Sequence, residues 1–332
     1  MMSVIVFLIS VSIIVLALVL DLIFGDPSPN YPSRLQFRLH PTVWMGKLTT
    51  KLKPHFKNPN PKIEKLNGII LGLIVIVAFT LPAYFGLQII YSYLGLLVYL
   101  VVAAVILKLT ICMKLETDWG YAAAIAIKSG DLEEARKYAH FSRRDNKELT
   151  GPQIASSVIE SIAENLTDFR LSPLFYYAFF GVPGAVAFRA VNTLDGMVGF
   201  KDKEHINIGW FSAISDTIVN YIPARLTAIL IVAAAALLGE NYKNAWRIAR
   251  RDQANTPSRN HGWQMAAMAG ALNVQLEKPG QYAVGEEVEQ LTSEHIFRTL
   301  KIRNTVFVTF LFIVVLPILF SVNLLLAHLP SI

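Results

Sequence analysis

Long uncharged stretches alternate with polar, basic ones along the chain. Met1–Leu20, Leu66–Leu107 and Asn304–Ile332 contain no Asp, Glu, Lys or Arg. A helix needs about 20 apolar residues to cross a bilayer. The pattern therefore predicts transmembrane helices at 1–23, 66–83, 90–111 and 305–328, the middle two forming a hairpin that turns between Pro82 and Ser92. The first stretch lacks a basic leader, and Asp21-Leu22-Ile23-Phe24 is a poor cleavage site, so it reads as a retained helix rather than a signal peptide. Two further apolar runs are interrupted. Leu171–Phe188 contains Pro173, Gly181, Pro183 and Gly184; Trp210–Leu238 contains Asp216, Asn220, Pro223 and Arg225. Breaks of this kind survive at membrane depth only against protein or water. Region 171–238 is expected to form broken, half-inserted helices lining a site. The fold class is all-α: a polytopic helical membrane protein with four clear spans and two broken segments, folded as one membrane-embedded domain over 1–332.

Between these runs the chain is helical but soluble in character. Glu116–Lys128 is alanine-rich, and Asp131 caps a helix over Leu132–Phe141 with Glu133 and Glu134 in its first turn. Pro152 suits the start of another helix. On that helix Ile154, Val158, Ile159, Ile162 and Leu166 form an apolar stripe. Ser157, Glu160, Ser161, Glu164, Asn165 and Asp168 lie opposite. Glu160, Glu164 and Asp168 are spaced i, i+4, i+8 and stack on one face. Without interleaved lysines they repel each other, so the stripe is either a Mg²⁺ site, hard oxygen ligands being suited to that ion, or a solvated face.

Composition supports the membrane reading: 54% of the 332 residues are hydrophobic and 16% charged, against about 25% charged in soluble domains. The net charge of +6 is clustered. Eight Lys/Arg fall in 25–65, eight in 114–170 and nine in 239–303, all but five of the 30. The positive-inside rule makes 24–65, 114–170 and 239–304 cytoplasmic and puts both termini outside. The same bias argues against a nucleic-acid partner. A single cysteine, Cys112, excludes an intrachain disulfide and a cysteine-based zinc site. Walker, nucleophile-elbow and zincin motifs are missing, so any nucleotide must use a different kind of site.

Other polar groups mark candidate chemistry. Arg189, Asn192 and Asp195 recur at i, i+3, i+6 after an apolar run. They offer an anion-binding guanidinium with a metal- or amine-binding carboxylate, or else an interfacial arginine and a helix cap. Asp216 and Asn220 share a helix face, and Arg225 follows the break at Pro223. Intramembrane ionisable groups are functional candidates by default; an Asp216–Arg225 ion pair is the structural alternative. Arg250-Arg251-Asp252 and Ser258-Arg259-Asn260-His261-Gly262 suit anion binding or a basic surface near anionic lipid. Arg143-Arg144-Asp145 repeats the first of these by coincidence. Trp44 and Trp263 read as interface anchors or core.

These residues together resemble the CobD/CbiB family of adenosylcobinamide-phosphate synthases. Gly25-Asp26-Pro27, His40-Pro41 and Gly46 resemble its first loop, and Arg144-Asp145 its arginine–aspartate motif. Glu160-Ser161-Ile162-Ala163-Glu164-Asn165 with Asp168 and Pro173 resembles its acidic helix. Arg189–Gly199 resembles its segment R-A-x-N-T-L-D-x-M-x-G, and Gly209-Trp210 through Arg225 the next. Asn260, Gly262 and Ala266–Leu272 close the set. Ser212-Ala213-Ile214 and Asp216-Thr217 depart from the family's usual serine-alanine-arginine and double aspartate.

The resemblance implies ATP- and Mg²⁺-dependent amide ligation between a corrinoid carboxylate, adenosylcobyric acid, and an amino-alcohol phosphate, through an acyl phosphate. It implies Glu160, Glu164 and Asp168 as metal ligands, with Arg144, Arg189, Arg259 and Asn165 on phosphate or ATP. Glu164, Asp168, Asn192 and Asp195 become the catalytic set. Asp145, Asp216, Asn220, Arg225 and Asn260 line a substrate cavity. Membrane lipid and other cobalamin-assembly enzymes are the implied partners. A corrinoid-binding, transport or sensor protein without ligase chemistry is the competing reading.

Overall fold

The computed structural model describes residues 2–28, 32–139 and 147–328. About 78% of the chain is helical. In chain order the helices are α1 (Met2–Phe24), α2 (Leu35–Leu39), α3 (Pro41–Phe56), α4 (Pro61–Lys108), α5 (Lys114–Ser129), α6 (Leu132–Arg136), α7 (Gly151–Leu166) and α8 (Ser172–Val198). They continue with α9 (Trp210–Val219), α10 (Tyr221–Leu238), α11 (Tyr242–Asp252), α12 (His261–Leu272), α13 (Ser293–Phe310) and α14 (Leu316–His328). One antiparallel hairpin, β1 (Gln275–Lys278) with β2 (Tyr282–Gly285), pairs Gln275 with Gly285 and Lys278 with Tyr282. Among the described residues, five helical stretches are long and apolar enough to cross a membrane: Val4–Phe24, Pro61–Lys108, Gly151–Val198, Tyr221–Leu238 and Ser293–Leu325. Pro61–Lys108 holds two of the four clear spans, so two stretches lie beyond them, Gly151–Val198 and Tyr221–Leu238. The latter is α10, whose 18 residues run on past Pro223 because proline sits in the helix's first turn, where it removes no internal hydrogen bond.

The chain divides into two compact units. The first holds Met1–Lys114, Ser172–Val219 and Val314–Ile332; the second holds Leu115–Leu171 and Asn220–Ile313.

In the first unit the long helix α4 is broken at Gly95, where φ is 80° and ψ 178°. The rings of Tyr91 and Tyr99 lie 5.5 Å apart across this point. Eight residues of straight helix would separate them by about 12 Å, so the chain reverses there. The turn is therefore at Gly95 and not between Pro82 and Ser92. Pro82 lies inside the helix and does not end it, whereas Gly95 has a backbone conformation essentially closed to side-chain-bearing residues. The same device recurs in α8 at Gly181, with φ 65° and ψ −159°. Tyr176 and Phe188 stack at 5.6 Å and 11° between planes across it. The chain therefore reverses at Gly181 as it does at Gly95, and the arm before Gly181 runs on without interruption from α7 through a π turn.

In the second unit the Asp131 carboxylate caps α6 by accepting from the Glu134 N–H at 3.0 Å. The α-helix there ends at Arg136. Thr150 and Gln153 form a capping box at the start of α7. Both faces of α7 are covered: Ser156, Ser157, Glu160 and Ser161 are as buried as its apolar stripe. This excludes a solvated polar face at those positions. A π-helical turn, Thr167–Leu171, follows α7 and carries Asp168. The stretch 239–304, expected as a cytoplasmic loop, folds into α11, α12, the β-hairpin and the start of α13. Every residue of α12 from Gln264 to Leu272 is buried, the small alanines allowing close packing.

Gly95→Ala should lower the melting temperature in detergent, with a cost of about 2 kcal/mol from backbone strain, because an added Cβ would meet nothing within 4 Å. Gly86→Ala, inside the helix and equally uncrowded, should be neutral or stabilising by up to about 1 kcal/mol. Equal effects of the two would contradict a reversal at Gly95.

Candidate functional site

The acidic face of α7 divides between two structural settings in the second unit. Glu160 is 1% exposed. Its Oε1 accepts from Ser156 Oγ at 2.8 Å and its Oε2 from Tyr282 hydroxyl at 2.8 Å. The Glu277 N–H donates to the same Ser156 Oγ at 2.8 Å. Glu160 thereby fastens the β-hairpin to α7.

Glu164 and Asp168 instead meet His261, the first residue of α12. His261 Nε2 lies 3.1 Å from Asp168 Oδ2, and Nδ1 lies 3.9 Å from Glu164 Oε2. Asp168 is 8% exposed, and its second oxygen, Oδ1, is buried without a partner among the described residues. The i+8 placement of Asp168 falls on the π turn, which shifts it relative to a regular helix. Among the described residues no three His, Cys, Asp or Glu side chains surround one point at metal-ligand spacing. Glu160, Glu164 and Asp168 are therefore not assembled as a three-carboxylate cage. Mg²⁺ is commonly held by one or two carboxylates plus water and substrate phosphate, and the pair Glu164 and Asp168 fits that pattern, with an acceptor oxygen of Asp168 to spare.

Arg225 lies near the start of α10, with Asn260 at the N-terminus of α12. The guanidinium stacks 3.5 Å from the Tyr221 ring centroid and 5.7 Å from that of Trp263. Its Nη1 donates to Asn260 Oδ1 and to the Tyr221 carbonyl, each at 2.8 Å. Trp263 thus packs beside this arginine. Asn220, fully buried, marks the break before α10. Arg259 is exposed beside Asn260. Asn165 lines a small cavity against α5 with Glu116, Trp119 and Tyr138. Arg144 and Asp145 lie outside the described residues.

Arg251 does not form an open anion site. It binds Asp252 through Nε at 2.6 Å and Nη2 at 2.8 Å, and also pairs with Glu286, as does Arg247. Hydrogen bonds from Arg247 and then Arg251 hold the Glu286 carboxyl at about 2, well below its usual value. These arginines tie α11 to the end of β2.

The second unit also contains a buried ion triad that the pattern of charges did not single out. Arg170 and Arg303, 0% and 1% exposed, both bind Glu116 Oε2. Arg303 also donates to Thr117 Oγ1 at 2.9 Å and to Asn304 Oδ1 at 3.0 Å.

The first unit holds Arg189, Asn192, Asp195 and Asp216. Arg189 Nε donates to the Thr110 carbonyl at 3.0 Å, Nη2 donates to the same oxygen, and Nη1 donates to Asn192 Oδ1 at 3.0 Å. Asn192 Nδ2 in turn donates to Asp216 Oδ1 at 3.3 Å. The fork is closed on protein, so Arg189 orients Asn192, and through it Asp216, rather than presenting an open phosphate clamp. Asp195 lies against Gly199, where a Cβ would come within 1.9 Å of Asp195 Oδ1.

A second charged group in this unit centres on Lys108, at the end of α4. Its Nζ donates to the Gly25 carbonyl at 2.7 Å, pairs with Asp26 and lies 3.5 Å from Asp21 Oδ1. Asp21 Oδ2 accepts from the N–H groups of Met113 and Lys114 at 3.1 and 3.0 Å. His40 Nε2 lies 3.6 Å from Asp26 Oδ1. Burial works against the Asp26 charge, but His40 and Lys108 outweigh it and hold the carboxyl below its usual value.

The chain matches the model of the family described as CobD/Cbib protein over residues 14–309. The chain belongs to the CobD/CbiB family. It is 39% identical over 301 residues, 90% of its length and 95% of the relative's, to a protein of Methanothermobacter thermautotrophicus described as a probable cobalamin biosynthesis protein CobD. A Thermoplasma acidophilum protein of the same description is 36% identical over 315 residues, 95% of this chain and 99% of the relative. The cobalamin biosynthesis protein CobD of Dehalococcoides mccartyi is 34% identical over 296 residues, 88% and 92% of the two chains. No solved structure matches. The CobD/CbiB match spans both polar clusters, the Lys108 group and the buried ion triad.

Two features escaped the reading of the sequence. His261 was one residue of a basic loop, and only the fold shows it turned onto the acidic helix. Lys108 ended an apolar run, and its partners lie more than 80 positions away.

Asp26→Asn should destabilise the protein at neutral pH by roughly 3 kcal/mol, the low end for stranding a buried charge, since Asp21 remains close. Lys108→Met should recover most of that loss in the double variant. The lowered carboxyl value means this stabilisation exists above the ordinary carboxylate range and is lost as pH falls through the depressed value. Thermal unfolding of the single and double variants checks both points; additive losses would show that the two groups do not interact.

Proposed function

We propose that this chain acts in cobalamin biosynthesis as an ATP-dependent acid–amine ligase, joining a corrinoid carboxylate to an amino-alcohol phosphate. Family membership and the names of the relatives support the pathway. The chemistry is argued from one observation: a half-buried Glu164 and a buried Asp168, held by His261 and leaving Asp168 Oδ1 without a partner among the described residues.

Amide formation from a carboxylate is uphill in water, so the carboxylate must first be activated. In the proposed reaction a corrinoid carboxylate oxygen attacks the γ-phosphorus of ATP, the bond to the bridging oxygen breaks, and ADP leaves. The amine nitrogen then attacks the acyl carbon of the resulting acyl phosphate, expelling inorganic phosphate and losing one proton. Mg²⁺, when bound, would neutralise developing charge on phosphoryl oxygens. Glu164 and Asp168 are the residues to hold it. His261 fixes the rotamer of Asp168 and donates a hydrogen bond to it or to phosphate. Asn260 and Arg225 brace the start of α12 that carries His261. The exposed Arg259 is available for phosphate.

In the first unit, Arg189 locks Asn192 so that its carboxamide is presented in one orientation. Glu160 has a positioning role through Tyr282 and Ser156. Lysine and arginine placement supports a cytoplasmic location for residues 24–65, 114–170 and 239–304, with both termini outside.

Protein purified in detergent and supplied with adenosylcobyric acid, aminopropanol phosphate, Mg²⁺ and ATP should yield the amide and stoichiometric ADP by mass spectrometry. Chelation of Mg²⁺ should abolish turnover. Asp168→Asn should lower kcat by about 100-fold or more, in the range of lost electrostatic stabilisation, with little change in melting temperature. Corrinoid binding without ATP-dependent amide formation would support the transport or sensor reading instead. Full turnover by Asp168→Asn would remove that residue from the site.

A further inference from the structure

Gln264 is completely buried on α12, yet neither its Oε1 nor its Nε2 has a hydrogen-bond partner among the described residues. A carboxamide can make up to four hydrogen bonds. Each buried group left unmade costs about 1–3 kcal/mol. The residues that follow are Met265, Ala266, Ala267, Met268 and Ala269, all fully buried. The helix is thus built to pack apolar side chains, and a methionine of nearly the same volume would serve the fold without the penalty.

The position of this orphaned carboxamide is specific. Gln264 is one turn along α12 from Asn260 and His261, at i+4 and i+3, and so shares their face. Asn260 receives Arg225, and His261 meets Asp168, whose Oδ1 is likewise buried and unmatched. The indole N–H of Trp263 is also buried without an acceptor. Unmet donors and acceptors thus gather along one stretch of helix that begins at the His261–Asp168 contact. Each unsatisfied buried group in a native structure calls for an explanation, and a bound ligand supplies one.

We propose that Gln264 reads a planar edge of a substrate on which an N–H donor and an acceptor sit side by side. This rests on the ligase reading, because both of its large substrates carry such an edge: the adenine ring of ATP at its amino group and neighbouring ring nitrogen, and the corrinoid at its peripheral primary carboxamides. A glutamine amide pairs with this pattern in two parallel hydrogen bonds. Gln264 is then a specificity-determining residue, separate from the phosphate end at Glu164, Asp168 and His261.

The test uses full-length Gln264→Met and Gln264→Leu proteins in detergent. Melting temperatures are measured, and Mg²⁺–ATP, Mg²⁺–ITP and adenosylcobyric acid are titrated separately by calorimetry. Melting temperatures equal to or above that of the wild type are expected, together with a rise of about tenfold or more in the Kd of one ligand, the value of one to two lost hydrogen bonds. Loss confined to ATP, with a collapsed preference for ATP over ITP, identifies adenine; loss confined to the corrinoid identifies a carboxamide. Unchanged affinity for both overturns the proposal. Failure of both variants to fold also overturns it, because the carboxamide then serves the core. A wild-type protein that binds neither substrate refutes the ligase reading itself, and this inference falls with it.

Discussion

A polar group taken out of water must find a partner, and the fold of this protein is organised by that requirement. An unpaired charge in an apolar interior costs several kcal/mol, and within a bilayer there is no solvent to relieve it. Arg170 and Arg303 converge on Glu116 for this reason. Lys108 is met by Asp26 and Asp21, and Arg189 by the Thr110 carbonyl and Asn192. These contacts join residues far apart in the chain within each unit. They constrain how helices are placed where alanine and leucine packing alone would permit several registers.

The same requirement separates structural groups from reactive ones. Glu160, Glu164 and Asp168 are chemically alike and follow one another at helical spacing. Glu160 has both oxygens accepting from protein hydroxyls and acts as a fastening. Asp168 has one oxygen on His261 and the other unmatched, and Gln264 nearby on α12 has neither amide atom matched. Beside the fully engaged Glu160, such unmatched atoms are places where a charged or hydrogen-bonding reactant would lower the energy.

Much of this was legible in the residues. Uncharged runs announce the membrane helices because their length must match the bilayer. Clustered interruptions at Gly181, Pro183 and Asn220 announce broken helices because backbone polar groups need relief there. The turn at Gly95 was misplaced toward Pro82, since proline is the louder signal in a sequence while a glycine's positive φ is visible only in the fold. Whether Arg189 and Arg251 bind anions or serve an interface or surface stayed open in the sequence, because their partners Thr110 and Glu286 are 79 and 35 positions away. The β-hairpin and the burial of α12 were likewise illegible, because short strands and alanine-rich helices take their place from long-range packing. His261 and Gln264 belong to the same class: neither type nor spacing marks them, and only the unmet hydrogen bonds around them do.

The central claim is that the open acceptor of Asp168 receives the metal of a nucleotide complex. It is tested most directly by a structure of the protein soaked with Mn²⁺ and a non-hydrolysable ATP analogue, using the anomalous signal of manganese. A manganese peak is expected at bonding distance from Asp168, with Glu164 as a second ligand or one water away, and phosphate oxygens completing the shell. Ordered nucleotide and metal bound elsewhere, with the His261–Asp168 contact unchanged and Asp168 Oδ1 still unmatched, would contradict it.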